Sequence, residues 1–545
     1  MPTRTCRVLS LSFLAAVLAL ASLTAPARAA DPGLGTPATD RASEAAKAAL
    51  ATVRDLLDGL TSPVQAAGEH ADLTLALRDL ALLKNDLPAA QRPAAERLLA
   101  RPTDGAGDQY NDGYTVPEKP PVCSAVVCVH YVKRTTDKVP KADGDADGVP
   151  DYVELALRTM THVHHSYVAA GYRPPKSDLA AANNGGYNGA NEEQVDVYLA
   201  NVGVKGYYGY CATDQNLPAN QPQDTWAYCV LDNDYAKDEF GTRHTPKQNL
   251  RVTAAHEYFH AVQFGYDVSE DGWVMEATAT WAEDELYDSV DDNVAYLRGG
   301  PMALPNESLD QFSGGFHYGT WIFFRYLTEK FRYEQGVMPI LVRDLWRRLD
   351  DAPGGIGEYS LQGLKKVLRQ RDLSLTDAFA GFSAANRMPR RVYDEGGANR
   401  YPKAPLVSRT TLGQDRRRTG PLRITLDHLA AGSVRYTPAR SLVGGGWRLR
   451  LILDLSARWR GTGAIITVHR RSGSPRTKSV SLNRRGNAKQ AVRFSTGRVK
   501  RVEVTLVNAS DDFRCWRGTR FSCAGKPKFD NAVQRISAKI FRSGS

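Results

Sequence analysis

His256-Glu257-Tyr258-Phe259-His260 is the most specific chemical statement in this chain. Two histidines four apart on a helix project from one face, close enough to hold a single metal ion. The glutamate after the first histidine lies beside that ion and can reach a water bound to it, so one short segment supplies two ligands and a base. The flanks place the segment on a helix. Thr245-Pro246 reads as an N-cap followed by proline at the first helical position. Leu250, Val252, Ala255, Phe259 and Val262 continue with helical apolar spacing, which predicts a buried helix over 246–265. The plainer reading is a helix with two core-facing histidines and a surface glutamate.

Two histidines do not complete a catalytic zinc site, which takes three protein ligands and leaves one position open. One known continuation needs glycine three residues after the second histidine and a third histidine three beyond; Gln263 and Tyr266 occupy those places and exclude it. The other takes a glutamate from the following helix, predicted over 273–288. Glu276 is the only charged residue between Gly272 and Ala282. A lone carboxylate in a long uncharged stretch is costly to bury without a partner, which selects Glu276 as third ligand. Glu270, Glu283 and Glu285 compete from charge-rich segments expected to be solvated. His162, His164 and His165 form a rival cluster, but three histidines so close on one helix cannot all face one ion.

With these residues in place the chain resembles the gluzincin class of zinc metallopeptidases. It looks most like a bacterial family of secreted, mostly uncharacterised metalloproteases with HEYFH, a following glutamine and a W-x-x-E-A-x-A helix, here Trp273 to Ala279. The close resemblance covers about residues 230–330, with looser similarity of layout over 110–400. It implies zinc held by His256, His260 and Glu276, and peptide bonds hydrolysed by zinc-activated water with Glu257 as general base. The implied partner is a peptide or protein substrate. Gly315-Phe-His317-Tyr318-Gly319 resembles the place where some relatives carry a tyrosine that stabilises the oxyanion. Tyr318 is the first choice for that donor and His317 the second, against the plainer reading of a core tyrosine at a helix start. Some gluzincins place an aspartate four residues after the third ligand to orient a histidine. Thr280 stands there, and Glu283 is the alternative for that supporting role.

Asp143-Gly-Asp145-Ala-Asp147-Gly148-Val149-Pro-Asp151-Tyr-Val-Glu154 has the spacing of a twelve-residue EF-hand loop. Oxygens fall at positions 1, 3, 5, 9 and 12, the Val149 carbonyl at 7 and glycine at 6, a set that predicts structural calcium. A helix is expected to leave the loop, while Val139-Pro140 blocks an entering one. The plainer reading is an acidic surface turn.

The elements that position these groups fall into three parts. Leu50, Val53, Leu57 and Leu60, then Leu73, Leu77 and Leu80, predict helices within a segment 31–108, either a prosegment or an N-terminal subdomain. The Gly/Asp-rich run 104–108 reads as a linker. Residues 109–404 mix β-prone runs (126–132, 195–200, 225–231) with helices, the last of them at 318–331, as expected of an α+β zincin-like metallopeptidase domain. After 405 apolar and polar residues alternate, as in Trp447 to Leu455, which predicts a C-terminal all-β sandwich-like domain. Charge marks the same boundary. The net charge is +10, yet residues 405–545 hold about 30 Lys+Arg against about 7 Asp+Glu, leaving the upstream part acidic. That basic domain supports an alternative function: a catalytically weak or inactive protein attached to an anionic surface polymer. No interleaved aromatic pattern marks a specific nucleic-acid module.

Residues 1–29 read as a signal peptide, with Arg4 and Arg7, an apolar run Leu9 to Leu23, and Ala27-Arg28-Ala29. No integral membrane segment is expected, and the destination is extracellular. Six cysteines remain beyond it in three local couples: Cys123 with Cys128, Cys211 with Cys229, Cys515 with Cys523. Pairing by proximity is one of about fifteen possible connectivities.

Overall fold

Residues 38–59, 73–102, 113–178, 194–217 and 223–543 are described by a computed structural model. The expected signal peptide and the 104–108 linker lie outside the described residues. Among the described residues no helix is long and apolar enough to cross a membrane. All three cysteine couples are disulfide-bonded as proximity suggested, which fits an oxidising compartment.

The apolar stripes near the N-terminus form helices Ala38–Gly59, Leu73–Leu83 and Arg92–Leu98. Leu73, Leu75, Leu77 and Leu80 are buried in the same apolar core as the HEYFH helix. Buried Arg78 donates to the Glu270 carbonyl at 2.7 Å. Arg101, also buried, pairs with Asp178, Asp196 and Asp214 at 2.6, 2.5 and 2.8 Å. Stripping one partner from a buried ionic set costs about 3–5 kcal/mol. These helices are therefore knit into the central core.

Five strands form the central sheet, in the spatial order Val122–Cys123, Val127–His130, Val195–Ala200, Tyr228–Asp232, Gly209–Ala212. The middle three are parallel and fully or nearly buried, as expected of strands covered on both faces. Gly209–Ala212 runs antiparallel at one edge. Helix Asp151–Ala169 leaves the acidic loop and packs on the sheet beside helix Pro246–Asp267. The start of Pro246–Asp267 is fastened by a capping box: the Thr245 hydroxyl accepts the Gln248 N–H, and the Gln248 side chain accepts the Thr245 N–H. Helix Gly272–Tyr287 follows after a short turn and lies against it. Gly272 opens that helix where Leu75 and Phe312 pack closely, since a Cβ there would sit 3.0 Å from both.

Beyond residue 405 the period-two pattern becomes two sheets with one apolar core between them. One is ordered 476–479, 462–470, 499–508, 430–438, 408–412; the other 487–493, 447–454, 532–542, 422–426. Along Trp447–Asp454 the Trp and Leu side chains face inward while the arginines lie nearer solvent. The molecule is thus multidomain, with helices and a mixed sheet ahead of a C-terminal all-β region. The boundary is no gap in packing: Leu429, Ala431, Ile465 and Val507 belong to the central core. His428 bridges Asp310 at 2.9 Å and Asp530 at 3.1 Å, and Asp271 accepts the Cys523 N–H.

Candidate functional site

Adjacent buried helices bring the three expected ligands together. His256 and His260 occupy successive turns of one helix, and Glu276 projects from the next. Their Nε2 atoms are 3.0 Å apart, and the two Glu276 oxygens lie 3.2 Å from His256 Nε2 and 3.1 Å from His260 Nε2. Donors of a tetrahedral metal with bonds of about 2.0 Å are separated by about 3.3 Å. The three groups are spaced like one face of that tetrahedron.

The orientation of both rings sharpens this. His256 Nδ1 is 2.6 Å from Glu283 Oε1, and His260 Nδ1 is 2.7 Å from Gln263 Oε1. Both acceptors hold a proton on Nδ1, which turns each Nε2 lone pair toward Glu276. Two lone pairs and a carboxylate with no other donor then converge in a buried space. Such an arrangement requires a cation or bound protons at its centre. Burial opposes charge on His256, yet hydrogen bonds to Glu276 and Glu283 push its pKa well above the ordinary histidine range. Burial would likewise raise Glu276, but the charge of His260 and the hydrogen bonds from both histidines drive it well below the carboxylate range. The donor set, two imidazoles and one carboxylate, fits zinc.

Glu257 is buried on the same helix, between the two histidines expected to hold the metal. The Thr74 hydroxyl donates to its Oε2 at 3.3 Å and accepts the Cys211 N–H at 3.0 Å. Burial raises the Glu257 pKa, opposed by His256 and His260. A cavity of about 70 Å³ opens here, bounded by His256, Glu257, Glu283, Tyr208, Tyr296 and Tyr318. Tyr318 reaches it from a 3₁₀ turn ahead of helix Trp321–Lys330, with its ring 6.2 Å from the His256 ring. Gly319 pins that turn, since a Cβ there would lie 2.6 Å from the Gly300 backbone. His317 does not line the cavity. It is buried with its ring 4.4 Å from Phe312, and burial pushes its pKa down to about 4.

The competing glutamates are not solvated as their sequence context implied. Glu270 is buried and accepts the Ser360 N–H, Glu285 pairs with Arg325, and Glu283 is buried against His256, where burial pushes it up to about 7. Charge-rich segments here face inward because each carboxylate finds a partner from another element. The histidines at 162, 164 and 165 assemble no shared centre: His164 bonds the Tyr258 hydroxyl at 2.6 Å. Gln263, Thr74, Tyr208 and Tyr296 were not foreseen as parts of the site, although Gln263 stands one helical turn beyond His260.

In the acidic loop, Asp143, Asp145 and Asp147 present carboxylate oxygens within 4.8 Å of one another. Gly148 takes the left-handed turn with φ +93°. Val149 follows, with its N–H donating to Asp147. Asp151 and Glu154 are not drawn into that group: Asp151 accepts the Gly144 N–H at 2.8 Å and Glu154 pairs with Arg158 at 3.3 Å. No helix enters the loop, as the proline predicted.

No family model matches this chain, and no curated protein matches it. Among solved structures it is similar to the pre-peptidase C-terminal domain of a Bacillus anthracis collagenase, at 8% identity over 25% of this chain and 97% of that one, with a TM-score of 0.15. It is also similar to CorA, a surface-associated copper-binding protein of Methylomicrobium album BG8, at 9% identity over 25% of this chain and 99% of that one, with a TM-score of 0.15. A third is the family GH115 4-O-methyl-α-glucuronidase BtGH115A, at 10% identity over 75% of this chain and 64% of that one, again with a TM-score of 0.15. At that score none carries an argument about fold or function.

Proposed function

We propose that this protein is a secreted zinc-dependent metallopeptidase of gluzincin type, with a zincin-like catalytic domain upstream of residue 405. The observation that carries the reading is the convergence of His256 Nε2, His260 Nε2 and Glu276 at 3.0–3.2 Å, with both Nδ1 atoms engaged by acceptors. Zinc held by these three residues would polarise a scissile carbonyl and acidify a water. Glu257 accepts the proton from the attacking water and returns it to the leaving amine. Thr74 holds the Glu257 carboxylate from below. Tyr318, which lines the cavity, would donate its hydroxyl to the developing oxyanion; His317, buried with its ring 4.5 Å from that of Tyr318, is the second choice.

The edge strand supports a peptide substrate. Cys211 and Cys229 are directly opposed with Cα atoms 4.1 Å apart, the spacing of a pair that does not exchange backbone hydrogen bonds. The Cys211 N–H therefore points outward, where Thr74 takes it. Gly209, two residues earlier on the same edge, lines the cavity, where an extended chain would add as a further strand. An intact base at Glu257 supports hydrolysis over a binding role with an idle metal site. Calcium is proposed for Asp143, Asp145 and Asp147, whose all-oxygen donors suit it. The test is the peptide profile released from a digested protein mixture by wild type and by Glu257→Ala. Specific cleavage by the first alone supports the reading, and matched profiles or no cleavage by either reject it.

A further inference from the structure

The basic charge of the C-terminal region is not spread evenly. A cavity of about 380 Å³ lies where this region meets the helices before it. Arg387, Arg390 and Arg391 line it from the end of the helical part, Lys403 from the connecting segment, and Lys500 and Arg501 from strand Val499–Asn508. The turn 470–475 closes one side, where Arg470 is held by the Ser474 carbonyl at 2.9 Å.

Among the described residues, the carboxylate that pairs with this cluster is Glu503. Glu503 is buried, and its two oxygens are shared among Arg387 at 3.2 Å, Arg435 at 2.8 Å and Arg501 at 3.0 Å. Three guanidinium groups on one carboxylate leave about two positive charges unmatched. Among the described residues, Arg390, Arg391, Lys403 and Lys500 have no carboxylate within ion-pair distance. Burial first, and then the neighbouring Arg387 charge, push the Lys403 ammonium down to about 8, partly opposed by Glu503. Cations gathered in a concave site raise the local concentration of anions far more than the same number scattered on a convex face.

We propose that this cavity binds a multiply charged oxyanion group of phosphate or sulfate type. The guanidinium forks match such groups with paired hydrogen bonds. The volume falls in the range of about 300–1,000 Å³ usual for ligand sites, room for one charged unit and its neighbour. No Phe, Tyr or Trp lines the cavity, and its one aromatic ring, His469, is already engaged by Arg501 at 3.1 Å and lies 3.6 Å from Glu503, a poor platform for stacking nucleic-acid bases. The site lies outside the zinc cavity, shares no lining residue with it, and stands whether or not the protein cleaves peptides.

The test uses the full secreted chain and calorimetric titration with pyrophosphate and with long-chain polyphosphate at physiological salt. Two variants each remove two exposed charges: Arg390→Gln with Lys500→Gln at the cavity, and Arg484→Gln with Arg485→Gln on a distant turn. A built site loses about tenfold or more in affinity in the first and less than about threefold in the second. Equal losses would reduce it to a diffuse basic surface and overturn the proposal, as would the absence of binding by wild type. Lys403→Gln repeats the cavity arm should the double variant melt early. Polyphosphate binding tighter per site than pyrophosphate identifies a polymer-borne ligand; equal affinity identifies a free anion. Single-stranded DNA that outcompetes both, unaffected by the cavity variant, would also overturn it.

Discussion

Glu283→Gln isolates one term of the metal site. The side chain keeps its length, and its amide oxygen can still accept from His256 Nδ1, so the ring stays oriented. What is lost is the negative charge 2.6 Å from that nitrogen. Charged acceptors make hydrogen bonds roughly twice as strong as neutral ones, and removing such a supporting partner typically weakens metal binding by about 10- to 100-fold. That factor corresponds to about 1.4–2.7 kcal/mol. Glu276→Gln removes the charge from the proposed third ligand and should weaken zinc further still. Chelator competition gives the dissociation constant for each variant, with the melting temperature of the zinc-loaded protein checking the fold. Zinc affinity unchanged in Glu283→Gln would show that the contact does not tune His256. A loss as large as that of Glu276→Gln would make Glu283 a ligand and refute the assignment.

Thr74→Val should lower kcat with little change in KM, since Glu257 loses its donor; the orphaned Cys211 N–H should also cost about 1–3 kcal/mol of stability, and Thr74→Ser should restore both, as read by kinetics and chemical unfolding. Burial disfavours the charged form of His428, but Asp310 and then Asp530 outweigh it and push its pKa up to about 9. Its contribution of roughly 3 kcal/mol is thus full below about pH 6.5 and lost as pH rises through about 9. Unfolding free energy followed from pH 6 to 10 should fall in wild type and flatten in His428→Gln; parallel curves would refute the bridge. Millimolar calcium should raise the melting temperature of wild type, by roughly 1.4 kcal/mol of stabilisation at ten times the dissociation constant, and leave Asp145→Ala unmoved. A wild type indifferent to calcium would remove the loop as a structural site.

Local signals carried the elements of the site. The Thr245-Pro246 cap placed the HEYFH helix, which runs Pro246–Asp267, and the uncharged stretch around Glu276 singled it out before its neighbours were known. Period-two alternation located Trp447–Asp454 within a residue. What stayed hidden depends on meetings across the chain. Thr74 lies 183 residues from Glu257, and no local pattern announces that contact. Glu283 sits among other acids, so composition implied a solvated residue; only the family resemblance offered it as a partner for a histidine, and it lies 2.6 Å from His256 Nδ1. The charge step near 405 was visible, whereas the docking of the β region through His428 and Glu503 was not, because buried ion pairs between distant segments leave no periodicity. Which of His317 and Tyr318 serves as the donor was not legible either, because the two rings lie 4.5 Å apart in one turn.

The measurement closest to the central claim is the metal content of the purified protein after dialysis. About one zinc per chain is expected in wild type and in Glu257→Ala, because Glu257 stands beside the ligands and not among them, with zinc lost from Glu276→Gln. A wild type without zinc, or a Glu276→Gln variant that retains it fully, would contradict the account.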